Sequence, residues 1–231
     1  MKTIGLIGGM SCESTAEYYR IINEAVREKL GGLHSAKIVM YSFDFEEIGE
    51  LQREKRWAEA TDLMIHAAKR VERGGADFVL ICTNTMHKMA EDVAASINIP
   101  LLHIVDATAG RIISLGFKKV GLLGSTFTME EDFYKGRLED KYGLGVLIPG
   151  EAERQVVHNV IFEELCQGKM KDSSRKQIKA IIHKLINNGA QGVILGCTEL
   201  PLLVKQKDCS VPLFDTTTIH AKAAVDYAFE D

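Results

Sequence analysis

The sequence predicts an α/β fold of two pseudo-symmetric lobes, each a mostly parallel sheet flanked by helices. Two observations carry this. Short apolar runs alternate with longer amphipathic stretches along the whole chain, the pattern of parallel strands joined by crossover helices. Three segments of the first half also return, in the same order, in the second. The 231 residues, 46% hydrophobic and 26% charged, can bury a sizeable core without disulfides or a structural metal.

Taken in order, Thr3–Ile7 reads as the first strand, and the Gly-Gly turn after it leads into a helix over Ser14–Leu30. Ser14 can cap that helix, and Tyr19, Ile22, Val26 and Leu30 recur at helical spacing. Lys37–Tyr41 reads as a strand, Ala58–Arg73 as a helix and Phe78–Ile81 as a strand. A helix over Lys88–Ser96 and a strand over Leu101–Ile104 complete the first half. The second half repeats the alternation. Its helices are expected over Ala107–Leu115, Glu130–Lys141, Arg154–Leu165, Ser174–Asn187 and Ile219–Phe229. Its strands are expected over Val120–Leu123, Val146–Ile148, Val193–Leu195 and Leu213–Phe214.

The repeat is visible residue by residue. IGLIGGMS at 4–11 matches VGLLGSTF at 120–127. GGADFVLICTN at 74–84 matches NGAQGVILGCTE at 188–199, and IPLLHIVDAT at 99–108 matches VPLFDTTTIH at 211–220. Lobe one is therefore expected over residues 1–98 with 211–231, and lobe two over 99–210. Binding sites of such sheets lie beyond the carboxyl ends of the strands, so the active site is expected in the cleft between the lobes.

Several classes are excluded. A net charge of −4 without a long basic run does not suit nucleic acid or an anionic membrane. No apolar stretch reaches the roughly 18 residues of a membrane span. The N-terminal MKTIGLIGGMS reads as a strand and turn rather than a leader. Five scattered cysteines without a CxxC pair suit free thiols in a reducing cytoplasm.

Each half has an apolar strand ending in Cys-Thr, at Cys82 and Cys197. Pseudo-symmetry would make the two cysteines face each other. A buried cysteine is otherwise an ordinary small hydrophobe, but two at equivalent places in a repeat suggest paired chemistry. Inverting a carbon centre needs a base on one face and an acid on the other. A thiolate and a thiol, with an ordinary pKa of about 8.5, suit that exchange. Sulfurs placed on either side of a reacting carbon would stand roughly 7 Å apart, beyond disulfide reach. No His or Cys sits at zinc-ligand spacing from either.

The segments GLIGGMS-x-EST, CTNTMHK, GLLGSTFTME-x-DFY and GVILGCTELPLL resemble the aspartate/glutamate racemase family, and the resemblance covers essentially the whole chain. It implies an amino-acid racemase that uses neither pyridoxal phosphate nor metal, with Cys82 and Cys197 as acid and base. It also implies that Cys82 acts on the D and Cys197 on the L enantiomer, that aspartate or glutamate is the substrate, and that the enzyme is a homodimer.

Other residues are candidates for holding the substrate. Met10 and Ser11 lie in the turn before the first helix, whose N–H groups can meet a carboxylate; a G-x-G-x-x-G dinucleotide spacing is absent. Thr83, Asn84 and Thr85 follow Cys82, and Thr198 and Glu199 follow Cys197. They can hold the ammonium and carboxylate and steady developing enolate charge. Ser125 and Thr126 occupy the equivalent turn of lobe two. Gln52 and Arg53 resemble the family's substrate-covering loop, where an Arg would bind a side-chain carboxylate, and Lys169 is a further candidate. His87 and His220 read as capping or packing residues, and Cys166 and Cys209 are given no role.

The family commonly carries Trp where this chain has Cys12, which alters the expected pocket wall. Similar folds perform hydantoin racemisation, maleate isomerisation and arylmalonate decarboxylation, the last with a single cysteine. A non-catalytic binding protein would have no use for the pair. A cysteine hydrolase would use one Cys with a nearby His base.

Overall fold

The computed structural model describes residues 1–230. Two compact units emerge, one from Met1–Ile104 with the segment from Thr217 onward, the other from Val105–Thr216. The chain leaves unit one at the first turn of a helix, α5 (Ile104–Ser114), and returns at the start of the last helix, α10 (Thr216–Ala228).

Unit one has a parallel sheet in the order β2-β1-β3, from β1 (Ile4–Gly8), β2 (Ile38–Ser42) and β3 (Phe78–Ile81). The strand pleat sorts its side chains. Ile4, Leu6, Phe78 and Leu80 pack with Tyr18, Ile22 and Val26 of α1 (Cys12–Leu30) and with Ala221, Ala224 and Val225 of α10. Ile7, Val79 and Ile81 face the other way. They pack with Ile48 and Leu51 of α2 (Phe45–Arg53), Met64 and Ala67 of α3 (Trp57–Arg73) and Val93 of α4 (Ala90–Ala95).

Three local details differ from expectation. The cap of α1 is Ser11, whose Oγ accepts from the Ser14 N–H at 3.4 Å; Ser14 lies inside the helix. The expected strand over Leu101–Ile104 shrinks to a single bridge between Leu101 and Val79. Val79 exchanges bonds with Pro100 and Leu102, and Ile104 then starts α5 with its N–H bonded to a histidine ring rather than to the sheet. The helix α2 was not foreseen. Its signal was Asp44 capping Glu46 N at 3.1 Å, followed by Ile48 and Leu51 on one face.

Unit two repeats the plan with one more strand. Its parallel order is β5-β4-β6-β7, from β4 (Lys119–Gly124), β5 (Gly145–Leu147), β6 (Val193–Gly196) and β7 (Leu213–Asp215). Helices α6 (Thr126–Glu130), α7 (Glu151–Asn159), α8 (Asp172–Asn187) and α9 (Leu200–Leu203) surround it. The expected helix over Glu130–Lys141 is broken. Ser125 caps α6 early, with its Oγ accepting from Thr128 N, and Glu131 is extended. Arg137–Lys141 then forms a π turn, tied to α5 by paired bonds from Arg137 to Asp106 at 2.6 and 2.8 Å. A second π turn, Val160–Glu164, continues α7. Among the described residues, no helix is long and apolar enough to cross a membrane.

Candidate active site

In unit one the site begins where β1 ends. Gly9 has φ of +87°, and a Cβ there would lie 2.3 Å from the backbone of Phe43. Only glycine fits this crossing. Gly9 N–H donates to Thr15 Oγ1 at 2.8 Å, and that hydroxyl donates to the Ser11 carbonyl at 2.8 Å. Thr15, missed at the level of sequence, therefore closes the turn from inside. Ser11 is buried and serves as helix cap, and Met10 is buried in the α2–α3 face of the core. Cys12 is exposed, and its thiol donates to Glu13 Oε2 at 3.2 Å. That bond to Glu13, with some burial, raises its pKa and so lowers its thiolate fraction.

Cys82 directly follows β3, and its N–H bonds the Ile7 carbonyl at 2.9 Å. The residue thus extends the strand by one pleat. Its side chain continues the Phe78, Leu80 alternation into the α1–α10 face and is wholly buried. Burial pushes the thiol well above its ordinary value. Beyond it, Thr83 is half-buried, and Asn84 and Thr85 are buried. Gln52 comes to this same turn: it is buried on α2, and its Nε2 donates to Met86 Sδ at 3.1 Å. Arg53 next to it is exposed and paired with Glu46.

In unit two the corresponding turn follows β4. Ser125 caps α6 and shares a hydrogen bond with Thr128 Oγ1 at 3.2 Å. The N–H and hydroxyl of Thr126 both reach His158 Nδ1, at 3.3 and 3.2 Å. Burial holds that imidazole below its ordinary pKa. His158, on α7, was not foreseen as a partner of the turn.

Cys197 directly follows β6. Its Sγ donates to Glu199 Oε2 at 3.0 Å, and Thr198 Oγ1 donates to the same oxygen at 2.7 Å. Glu199 is buried. Burial raises the Cys197 pKa first, with the Glu199 charge, Cys166 and the hydrogen bond to Glu199 adding to it. Cys197 is therefore a thiol at neutral pH, held against a carboxylate. Lys169 is exposed and donates to Gln167 Oε1 at 2.7 Å.

The two units have built the same feature. In each, the cysteine directly follows the carboxyl end of the strand beside the unit's first strand, and a serine caps the helix after that first strand. They differ in the cysteine's partner. Cys82 sits among apolar side chains, whereas Cys197 bonds a carboxylate.

The sequence model described as Asp/Glu/hydantoin racemase matches residues 7–224. A Yersinia pestis protein presented as a candidate Asp/Glu racemase is 52% identical, with a TM-score of 0.94 and full coverage of both chains. An aspartate racemase homologue from Pyrococcus horikoshii OT3 is 40% identical, with a TM-score of 0.86, again over 100% of each chain. A curated relative, the broad specificity amino-acid racemase RacX of Bacillus subtilis (strain 168), is 23% identical over 225 residues, 96% of each chain.

Proposed function

The chain belongs to the Asp/Glu/hydantoin racemase family, a family of isomerases, and from that premise we propose that it racemises an amino acid without a cofactor, using Cys82 and Cys197 on opposite faces of the α-carbon. The observation that carries this reading is the matched placement of the cysteines. Each directly follows the strand beside the first strand of its own unit.

A thiolate on one cysteine takes the α-proton and becomes a thiol. The resulting carbanion takes a proton from the other cysteine, which becomes a thiolate. The product is the opposite enantiomer, and the roles of the two sulfurs have exchanged.

Burial opposes a thiolate, so its charge must come from somewhere. The Cys197 thiol already donates to Glu199 Oε2 at 3.0 Å, so that carboxylate is the acceptor in place for its proton. Moving the thiol proton to the carboxylate relocates a charge already buried instead of creating one. The substrate ammonium then sits beside an anion whichever group carries it. Asn84, Thr85 and Thr198 offer donors and acceptors for the ammonium and carboxylate. Met10, Ser11, Ser125 and Thr126 frame the two turns, and Gln52 reaches the Cys82 turn through Met86.

Aspartate or glutamate is the first substrate to test. A broader range is the second reading, supported by the broad specificity named for the Bacillus subtilis relative. Five free cysteines suit a reducing cytoplasm, and the family resemblance suggests a homodimer.

The test is chiral chromatography of a panel of L-amino acids incubated with protein dialysed against a chelator. The expected result is conversion of aspartate or glutamate to the D form with nothing added. Activity that returns only with zinc or pyridoxal phosphate, or no conversion of any amino acid, would overturn the proposal.

A further inference from the structure

Three histidines meet inside unit one, outside the roles given above. His87 lies on the 3₁₀ turn Thr85–Met89 after Cys82, His103 on the segment entering α5, and His220 on α10. The His87 ring centroid is 4.5 Å from that of His103 and 5.8 Å from that of His220. Tyr18 of α1 completes the group, 5.7 Å from His220. All four side chains are buried.

Their hydrogen bonds fix where the protons are. The Ile104 N–H donates to His87 Nε2 at 3.1 Å. Nε2 is therefore the bare nitrogen, and Nδ1 carries the proton and donates to the Thr83 carbonyl at 2.8 Å. A cationic His87 would turn a second N–H against that of Ile104. His220 is fixed by the same logic. The Leu102 carbonyl can only accept, so Nε2–H donates to it at 2.8 Å, and Nδ1 accepts from the Tyr18 hydroxyl at 2.9 Å. Burial pushes His220 down to about 4.

The places these bonds reach are informative. Thr83 is the residue after Cys82. Ile104 is the last residue of unit one before the chain crosses, and His220 lies just after it returns. Cys82 is held on one side by its N–H bond to Ile7. On the other side the backbone has left the sheet, and the Thr83 carbonyl is held by His87.

We propose that His87 is a positioning residue, whose neutral Nδ1–H tautomer holds the Thr83 carbonyl and so aims the Cys82 sulfur at the α-carbon. This rests on the two-cysteine reading above. It predicts that the two halves of the imidazole are unequal. The donor toward Thr83 sets the rate, and the acceptor toward Ile104 serves the fold.

Two substitutions separate the halves. In His87→Asn the side-chain amide takes the place of Nδ1 and can still donate to Thr83, but leaves Ile104 without its acceptor. In His87→Gln the amide oxygen reaches the place of Nε2 and serves Ile104, but the donor to Thr83 is lost. Each purified variant is assayed for kcat, KM and the α-deuterium isotope effect, in both directions. Cys82→Ser is run beside them. His87→Gln is expected to lose about 100-fold in kcat, the scale of a small misplacement. Its KM should change little, and its isotope effect should grow in the direction in which Cys82 takes the proton. His87→Asn is expected to keep kcat within about threefold, as for an interaction not used in the transition state.

An isotope effect is a ratio of rates and does not depend on the fraction of enzyme that is folded. It reads aim even if both variants lose stability. Equal losses in the two variants, or a slow His87→Gln enzyme with unchanged isotope effects, would overturn the positioning role. Wild-type racemisation by Cys82→Ser would instead overturn the two-cysteine reading on which it rests.

Discussion

Replacing either Cys82 or Cys197 with serine is expected to lower kcat/KM by roughly 10²- to 10⁴-fold, the range for loss of a general acid or base. Serine differs little from cysteine in volume, so the fold should survive. Its hydroxyl is far too weak an acid to share a proton with a thiol partner. Cys82 sits in an apolar cluster with Leu80, Tyr18 and Ala221, where one hydroxyl costs on the order of 1–3 kcal/mol if it finds no partner. Circular dichroism should therefore show a folded protein with a lower melting point for Cys82→Ser. Because enantiomers have equal free energy, kcat/KM must fall alike in both directions. Near-normal turnover in either variant would remove that cysteine from the chemistry.

Glu199→Gln is expected to cost about 10²-fold at neutral pH, the lower end of the same range, and to change the shape of the pH profile. The sign follows from the causes of the Cys197 shift. Burial raises that thiol, and the Glu199 charge and hydrogen bond raise it further. Removing the carboxylate relieves the second part, so the thiol moves down toward its ordinary value while burial still holds it up. The internal proton acceptor is gone, however. Thiolate must now form by losing its proton to solvent, which becomes more favourable as pH rises. Wild-type activity should be nearly level across neutral pH, whereas that of Glu199→Gln should climb with pH and partly recover in alkali. A level profile in the variant, at wild-type rate, would show that Glu199 does not handle the Cys197 proton.

Much of this was legible in the sequence because it is carried by short-range patterns. The strands ending at Cys82 and Cys197 are continuous apolar runs, and a strand buried on both faces reads that way. The repeat alone makes the two cysteines equivalent. What stayed hidden depends on which partner each side chain meets in the folded chain. Ser11 and Ser14 are both good caps by type, and only the bond from Ser14 N–H to Ser11 Oγ shows which one is used. The strand after Pro100 looked complete from Leu101 to Ile104, but His87, 17 residues earlier, takes the Ile104 N–H. His87 and His220 looked like packing residues because a histidine's role is set by its partners. Gln52 was singled out by resemblance alone; its bond to Met86 needed the fold. The pairing of Cys197 with Glu199 spans two residues, yet sequence cannot show that the carboxylate turns back toward the sulfur.

The most direct test of the two-cysteine mechanism is racemisation in deuterated water, stopped at low conversion, with both enantiomers analysed by mass spectrometry from each direction. A sulfur that has just taken the substrate proton stays on the face it took it from. The opposite sulfur delivers a hydrogen that has exchanged with solvent between turnovers. The product formed early should therefore carry deuterium at the α-carbon, and the remaining substrate should stay protiated, in both directions. Substantial protium in the early product, or rapid deuteration of the unreacted substrate, would mean that one group serves both faces and would contradict the assignment of Cys82 and Cys197 as an acid–base pair.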